Sequence, residues 1–189
     1  MTGQGREIDS FLEAISQATL KISQIGSLPE TLQRIADAAR ELLAADYAVL
    51  ATFELDSVPE NFIFSGVDQR TADSIAHPPQ GIGLLGVLTA EQKTVRVSDL
   101  SRHSEFTGFP PNHPHMSSFL GMPIEQQGSV YGRIYLANKA NGRAFTPADE
   151  NLLQLFASHA AVAIQNAQLI EYSREQRRQL EERNRQFSA

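Results

Sequence analysis

Apolar residues at the start of the chain recur at the spacing of two amphipathic helices. Over residues 8–25 and again over residues 28–45, leucine, isoleucine and alanine return every three or four positions, which is the periodicity of a helix with one buried face. Gly26 and Pro29 separate the two segments, because glycine is common just after a helix and proline in a first helical turn. We therefore expect two helices to precede the first strand.

The pattern changes near residue 46 to short runs of β-branched and aromatic residues. Such runs, when bounded by turn residues, are typical of strands. We expect strands over residues 46–55, 61–67 and 94–99, a hairpin over residues 118–139, and short helices over residues 68–76 and 84–92. The hairpin turns at Gln127 and Gly128, since glycine supports the backbone conformation of a tight turn.

The last segment predicts one long helix. Thr146 can cap it, Pro147 suits its first position, and neither proline nor glycine occurs after Pro147. The first half is apolar and rich in alanine, whereas the residues from Glu171 onward are mostly Arg, Glu and Gln. A charged helix with a sparse apolar seam is either a solvated tail or the stalk of a dimeric signalling protein. Because the sequence stops within the helix, we expect a stalk that leads to an output domain.

These elements predict an α+β fold. An antiparallel sheet of about five or six strands would carry the N-terminal and C-terminal helices on one face. Loops and short helices from residues 68–116 would cover the other face and enclose a ligand pocket there. We expect an N-terminal helix over residues 1–27, one domain over residues 28–170 and a signalling-helix extension over residues 171–189.

Composition excludes several classes of site. The chain has 189 residues, a net charge of −6 and no cysteine. The charge argues against nucleic acid as a partner, and the missing thiols exclude disulfides, Cys-ligated zinc, iron–sulfur clusters and heme attached through cysteine. No apolar stretch is long enough to span a membrane, and the N-terminus lacks a secretion signal. We therefore expect a cytoplasmic protein without a membrane partner.

One loop combines rigid, apolar and ligating residues. The stretch "GFPPNHPHMSSFLGMPI" covers residues 108–124 and holds two histidines among four prolines. Because proline fixes its own φ angle, Pro111 and Pro114 restrict the backbone on both sides of His113. A loop of this composition is suited to holding an imidazole in one orientation.

The sequence resembles the GAF domain family. The resemblance rests on "FLGMPI" (119–124), "GSVYGRIYLANK" (128–139) and "FTPADENLLQLFASHAAVAIQNAQLI" (145–170), which occur in the family's order and spacing. It implies the GAF fold over most of the chain. It leaves the ligand open, because GAF domains bind cyclic nucleotides, hemes, bilins or other molecules, and some only dimerise.

The proline-rich loop resembles that of the heme-binding GAF sensors of dormancy-type oxygen and redox-sensing histidine kinases, as do residues 64–88 and 131–145. This resemblance implies non-covalently bound heme b, with His113 as the proximal iron ligand and Tyr135 on the distal side. A carbonyl, carboxylate or water should hold the other ring nitrogen of His113. Apolar walls are expected from Phe106, Phe109, Met116 and Phe119. His115 stands where the subfamily typically has proline, so it is the alternative ligand.

The function implied is that of a sensor and not of an enzyme. The domain would detect O2, NO, CO or redox state and signal through its C-terminal helix to an output domain such as a histidine kinase. A homodimer through the terminal helices is the expected assembly. The alternatives are a GAF module for another small molecule, such as a nucleotide, a metabolite or a non-covalent tetrapyrrole, or a module that serves only in dimerisation.

Overall fold

The computed structural model of the protein describes residues 3–53, 59–74, 93–104, 106, 108–109 and 113–187. Its helices and strands are α1 (Gly3–Ile22), α2 (Leu28–Leu42), β1 (Ala45–Phe53), β2 (Pro59–Ser65), α3 (Gln69–Ser74), β3 (Val95–Val97), β4 (Phe119–Gln126), β5 (Ser129–Lys139) and α4 (Pro147–Phe187). The predicted helix over residues 84–92 lies outside the described residues.

The described strands form one five-stranded sheet in the order β2-β1-β5-β4-β3, and all four pairings are antiparallel. Helices α2 and α4 pack against one face of this sheet, and α1 packs on those two helices. The main core lies between the helices and that face. The predicted α+β architecture, with the terminal helices together on one side, is confirmed.

Local capping explains where the packed helices begin. The hydroxyl of Ser27 accepts the backbone N–H of Glu30, and the Glu30 carboxylate accepts the backbone N–H of Ser27 at 2.9 Å. This reciprocal pair satisfies two donors at the start of α2 that the helix cannot satisfy itself. Leu32, Ile35 and the alanines that follow them, Ala36, Ala38 and Ala39, then face the core.

The first helix ends earlier than its apolar spacing predicts. Helix α1 stops at Ile22, where the Ser23 hydroxyl donates to the carbonyl of Thr19 at 2.6 Å. Ile25 was expected on the buried face, but it is 84 % exposed. The prediction of a helix through residue 25 is therefore wrong at its end, because a Ser side chain competes for the last carbonyls and Gly26 follows.

Helix α4 is the single long helix that the sequence predicts, with 41 residues. Thr146 accepts the backbone N–H of Asp149, and Asp149 accepts that of Thr146 at 2.7 Å. Phe156 and Ile164 are fully buried in its first half. Glu171 then accepts the backbone N–H of Leu28 at the start of α2 at 3.0 Å. After that contact the side chains of α4 lie mostly in solvent.

Among the described residues, the helices are too short or too polar for any of them to cross a membrane.

Candidate functional site

The two faces of the sheet carry different residues. Along β5, Ile134 and Leu136 point to the helices and join the main core. Their neighbours Arg133, Tyr135 and Ala137 point to the opposite face because side chains alternate along a strand. This second face is the candidate site.

A second apolar cluster covers the candidate site, separate from the main core. Its buried members are Ala51, Val97, Leu100, Phe119 and Tyr135. Its partly buried members are Val49, Phe62, Val95, Phe106, Phe109 and Met116. The cluster therefore brings together Tyr135 and the four predicted wall residues, although β4, β5 and the loop contribute them from separate parts of the chain.

Gly121 makes room for the rings of Phe119 and Tyr135. The rings of Phe119 and Tyr135 lie 6.0 Å apart between centroids, with their planes 28° apart. A Cβ atom at Gly121 would lie 2.9 Å from Phe119 Cε1 and 3.0 Å from Tyr135 Cδ1. The absence of a side chain at Gly121 thus allows both rings to lie over β4. This role is not among the predictions from the sequence, although a glycine inside a strand is itself a signal of close approach.

His113 is half-buried and held from two directions. Its ring stacks on Phe109 with 4.9 Å between centroids and 8° between planes. Its Nδ1 lies 2.8 Å from the carbonyl oxygen of Pro114. Since a carbonyl can only accept, Nδ1 is the donor, and Nε2 of the neutral ring keeps its lone pair. The Pro114 carbonyl is therefore the partner that sequence analysis could not name.

His115 lies beside the same phenylalanine but in a different setting. It is exposed, and its ring meets Phe109 edge-on, with 6.0 Å between centroids and 65° between planes. It also lies near Asp99. Hydrogen bonds from Ser101 hold the pKa of Asp99 below its ordinary value, with smaller contributions from the charges of Arg102 and His115. The structure thus places both histidines at the edge of the cluster, with His113 the more enclosed.

Asn138 anchors the end of the loop that carries both histidines. Its Oδ1 accepts the backbone N–H of Ser117 at 2.7 Å and the Ser117 hydroxyl at 3.2 Å. Its Nδ2 donates to the carbonyl of His115 at 3.0 Å. The residue has a φ of 57°, a left-handed conformation that Asn tolerates better than most residues. This role could not be predicted from the sequence, because it depends on a contact between β5 and the loop.

Tyr135 and Arg133 are the polar residues of β5 on this face. They are 7 % and 6 % exposed. Burial raises the pKa of Tyr135 to about 12, while the charge and hydrogen bonding of Arg133 oppose that rise. Arg133 was also missed, although a charged residue within an apolar strand is an available signal, since buried arginine is rare.

Comparison with known proteins identifies the family. The sequence model described as "GAF domain" matches residues 27–164. The chain belongs to the GAF domain family. GAF domains are in general regulatory sensory modules and not catalytic ones.

This GAF domain is similar to a dual 3',5'-cyclic-AMP and -GMP phosphodiesterase 11A of Takifugu rubripes, with 32 % identity over 107 residues. That match covers 52 % of this chain and only 11 % of the much longer phosphodiesterase. The resemblance to heme-binding sensors stays a prediction.

Solved structures share the fold at low sequence identity. The GAF domain of a phosphoenolpyruvate-protein phosphotransferase from Coxiella burnetii has a TM-score of 0.72 and 20 % identity, over 86 % of this chain and 96 % of that one. A bacteriophytochrome from the photosynthetic bacterium R. palustris has a TM-score of 0.66 and 15 % identity, over 94 % of this chain and 41 % of that one. At these identities the likeness shows the GAF fold alone.

Proposed function

We propose that this GAF domain is a sensor that binds heme b non-covalently, with His113 as the iron ligand and Tyr135 on the opposite side of the heme. The observation that supports it most is the hydrogen bond from His113 Nδ1 to the Pro114 carbonyl. It leaves Nε2 as the ligating atom, which is the arrangement that metal-bound histidines commonly have.

The other residues of the site have the apolar character that a heme-binding surface needs. A porphyrin has large apolar faces, and Phe106, Phe109, Met116 and Phe119 form an apolar cluster beside His113. Tyr135 places one hydroxyl on this otherwise apolar surface. When bound, the heme would supply an iron that takes a diatomic gas or changes oxidation state. The protein would hold the iron from one side and offer a hydrogen bond on the other.

The signal would leave the site through β5 and α4. Tyr135 lies four residues before Lys139, the last residue of β5. Lys139 Nζ contacts Asp149 Oδ1 at 2.6 Å in the first turn of α4 and donates to the Leu43 carbonyl at 3.2 Å. A shift of Tyr135 on ligand binding would therefore reach α4 through a short rigid path. Two packings of α4 would be the states of the switch, read by an output domain such as a histidine kinase.

A second copy of the chain is the proposed partner along α4. Leu155, Val162 and Leu169 are exposed and lie seven residues apart, which is the repeat of a two-helix seam. We expect a parallel homodimer. Analytical ultracentrifugation of Leu169→Glu should show a larger monomer fraction than the wild type, with Arg174→Glu as the control at an exposed position on another face of α4. Equal dimer fractions in both variants would exclude this seam.

A cyclic nucleotide is the second candidate ligand. The observation that favours it is the similarity to phosphodiesterases that are named for cyclic AMP and cyclic GMP. It would bind on the same sheet face. It would not need the imidazole of His113 as a metal ligand.

Absorption spectroscopy separates these functions. The purified protein, His113→Ala and His115→Ala are each supplied with hemin and then reduced. A Soret band that is lost only in His113→Ala is the expected result. Loss only in His115→Ala would keep the heme and change its ligand. No band in any of the three, with a rise in melting temperature on addition of cyclic AMP or cyclic GMP, would replace the heme proposal with the second candidate.

A further inference from the structure

We infer that Arg133 is a positioning residue that holds the Tyr135 hydroxyl as a hydrogen-bond donor directed away from itself, toward a ligand on this face of the sheet. The inference rests on the proposed function only in taking this face as the ligand site. It adds a residue that the resemblance to heme-binding sensors does not involve.

The geometry of β5 places the two side chains together. They are two residues apart on the same strand, so they point to the same face and lie side by side. Their cross-strand neighbours are residues without a side-chain hydrogen-bonding group: Val49 and Gly121 beside Tyr135, and Ala51 and Pro123 beside Arg133. Both side chains are more than nine-tenths buried. The interaction between them therefore takes place where water does not compete.

The chemistry of the pair fixes the direction of the hydroxyl proton. A guanidinium group has five donors and no acceptor, so it interacts with Tyr135 only through the hydroxyl oxygen. The charge and hydrogen bonding of Arg133 both favour the ionised form of Tyr135. With Arg133 at the oxygen, the hydroxyl hydrogen points elsewhere. A nearby positive charge also strengthens the hydroxyl as a donor.

A ligand that accepts a hydrogen bond would gain from this arrangement more than one that does not. In the heme-loaded protein, fluoride on the ferric iron is a strong acceptor, whereas carbon monoxide on the ferrous iron is a weak one. Arg133 would thus contribute to discrimination among small ligands through Tyr135. It would not touch the iron ligand His113.

A double-mutant cycle tests the inference in the heme-loaded protein. Fluoride and carbon monoxide dissociation constants are measured for the wild type, Arg133→Met, Tyr135→Phe and the double variant. Each single change should weaken fluoride binding roughly tenfold, and carbon monoxide binding much less. In the Tyr135→Phe background, Arg133→Met should lose most of its effect on fluoride. Fully additive effects would overturn the inference, because Arg133 would then act without Tyr135.

Two further variants separate a positioning role of Arg133 from a purely structural one. Arg133→Lys keeps a donor-only cation and should retain most of the fluoride affinity. In Arg133→Gln the amide oxygen can accept a hydrogen bond from the Tyr135 hydroxyl and turn it away from the ligand. This variant should therefore bind fluoride as weakly as Arg133→Met. The opposite order, with Gln retaining affinity and Lys losing it, would overturn the inference.

A titration without any ligand keeps this test independent of heme. The protein is labelled with 3-fluorotyrosine, whose lower intrinsic pKa brings the ionisation within reach, and the Tyr135 resonance is assigned with Tyr135→Phe. The pKa of the labelled Tyr135 should rise in Arg133→Met and rise less in Arg133→Lys. An unchanged pKa in Arg133→Met overturns the inference whether or not heme binds. If the wild type takes up no heme, the proposed function fails, and this titration alone decides the role of Arg133.

Discussion

The imidazole of His113 lies parallel to the phenyl ring of Phe109, with 8° between the two planes and 4.9 Å between centroids. Phe109 also meets His115 edge-on and Phe106 in a T-shaped contact with 5.0 Å between centroids. One phenylalanine therefore contacts both candidate iron ligands and joins them to the apolar cluster on the sheet.

Replacing this ring should loosen the ligand site. In Phe109→Leu, His113 loses its stacking partner, and a pair of stacked rings contributes about 0.5–1.5 kcal/mol beyond its buried area. We expect heme affinity to fall by about tenfold, measured by hemin titration and by transfer of heme to an acceptor protein. Phe64→Leu is the matched control, since Phe64 lies on the same sheet face beside Phe62 but does not belong to the cluster. Equal losses in the two variants would contradict a specific role of Phe109.

The side-chain amide of Asn138 should stabilise the protein, in addition to the tolerance of Asn for a positive φ angle. Asn138→Gly keeps access to positive φ but removes three hydrogen bonds to the loop. We expect the free energy of unfolding to fall by about 1–3 kcal/mol, together with weaker heme binding. Asn138→Asp keeps the acceptor for Ser117 and loses only the donor to His115, so it should lie between Gly and the wild type in chemical denaturation. Wild-type behaviour of Asn138→Gly would show that the amide has no anchoring role.

A methyl group at Gly121 should disturb the site. The new Cβ would lie within 3.0 Å of the Phe119 ring and of the Tyr135 ring, and forcing apart packed rings costs about 1–3 kcal/mol. Gly132→Ala is the control, because its Cβ would lie 2.5 Å from the backbone oxygen of Ala51, which cannot swing away. We expect Gly132→Ala to lower the melting temperature more.

The pKa of the 3-fluorotyrosine-labelled Tyr135 should distinguish the Gly121→Ala variant from the Gly132→Ala variant. It should shift in Gly121→Ala, where the ring itself is displaced. It should shift less in Gly132→Ala. The reverse pattern would contradict the role assigned to Gly121.

Asp149 should make stability depend on acid pH. Burial alone would raise the pKa of this carboxyl, but hydrogen bonds from Lys139 and Thr146 outweigh burial and bring the pKa below its ordinary value of 3.8. A group with a depressed folded pKa stabilises the protein above its unfolded pKa, and the stabilisation is lost as the pH falls through the folded pKa. The Lys139 and Asp149 side chains are 16 % and 13 % exposed, so solvent screens this pair only in part.

Asp149→Asn should therefore unfold at a lower denaturant concentration at pH 7 and show a flatter stability profile between pH 5 and pH 2, roughly the range in which paired carboxylates titrate. Glu175→Gln is the control, because the Glu175–Arg178 pair is exposed on the segment of α4 beyond Glu171. Its profile should follow that of the wild type. A full acid dependence in Asp149→Asn would place the titrating group elsewhere.

The sequence was a good guide where structure depends on neighbours along the chain. Pro29 at the start of α2, capping at Thr146, the hairpin turn at Gln127 and the unbroken run after Pro147 are all local signals, and each of these elements lies where it was expected. The end of α1 was misjudged, because apolar spacing alone extended it to Ile25 while the Ser23 hydroxyl bond to the Thr19 carbonyl closes it earlier.

The candidate site was predictable only in part for the same reason. The resemblance pointed to His113 and Tyr135. The aromatic residues of the loop lie in one cluster with Tyr135, and their role as heme contacts stays a prediction. Asn138 and Gly121 were not predicted because each contacts residues that are distant in the sequence: Asn138 bonds to the loop, and Gly121 pairs with Tyr135 across two strands. Arg133 acts on Tyr135 within β5, but its burial becomes visible only once the sheet face is covered.

The hydrogen bond between the Leu28 backbone and Glu171 marks a point about which α4 can tilt. Beyond that point the helix continues to Phe187, a length of about 24 Å at 1.5 Å per residue. A tilt of about 10° at Glu171 would carry the far end sideways by roughly 4 Å. The segment of α4 beyond Glu171 thus acts as a lever. A tilt near the sheet that is too small to disturb the core would become a displacement of several ångströms at the far end, where a neighbouring helix could respond to it.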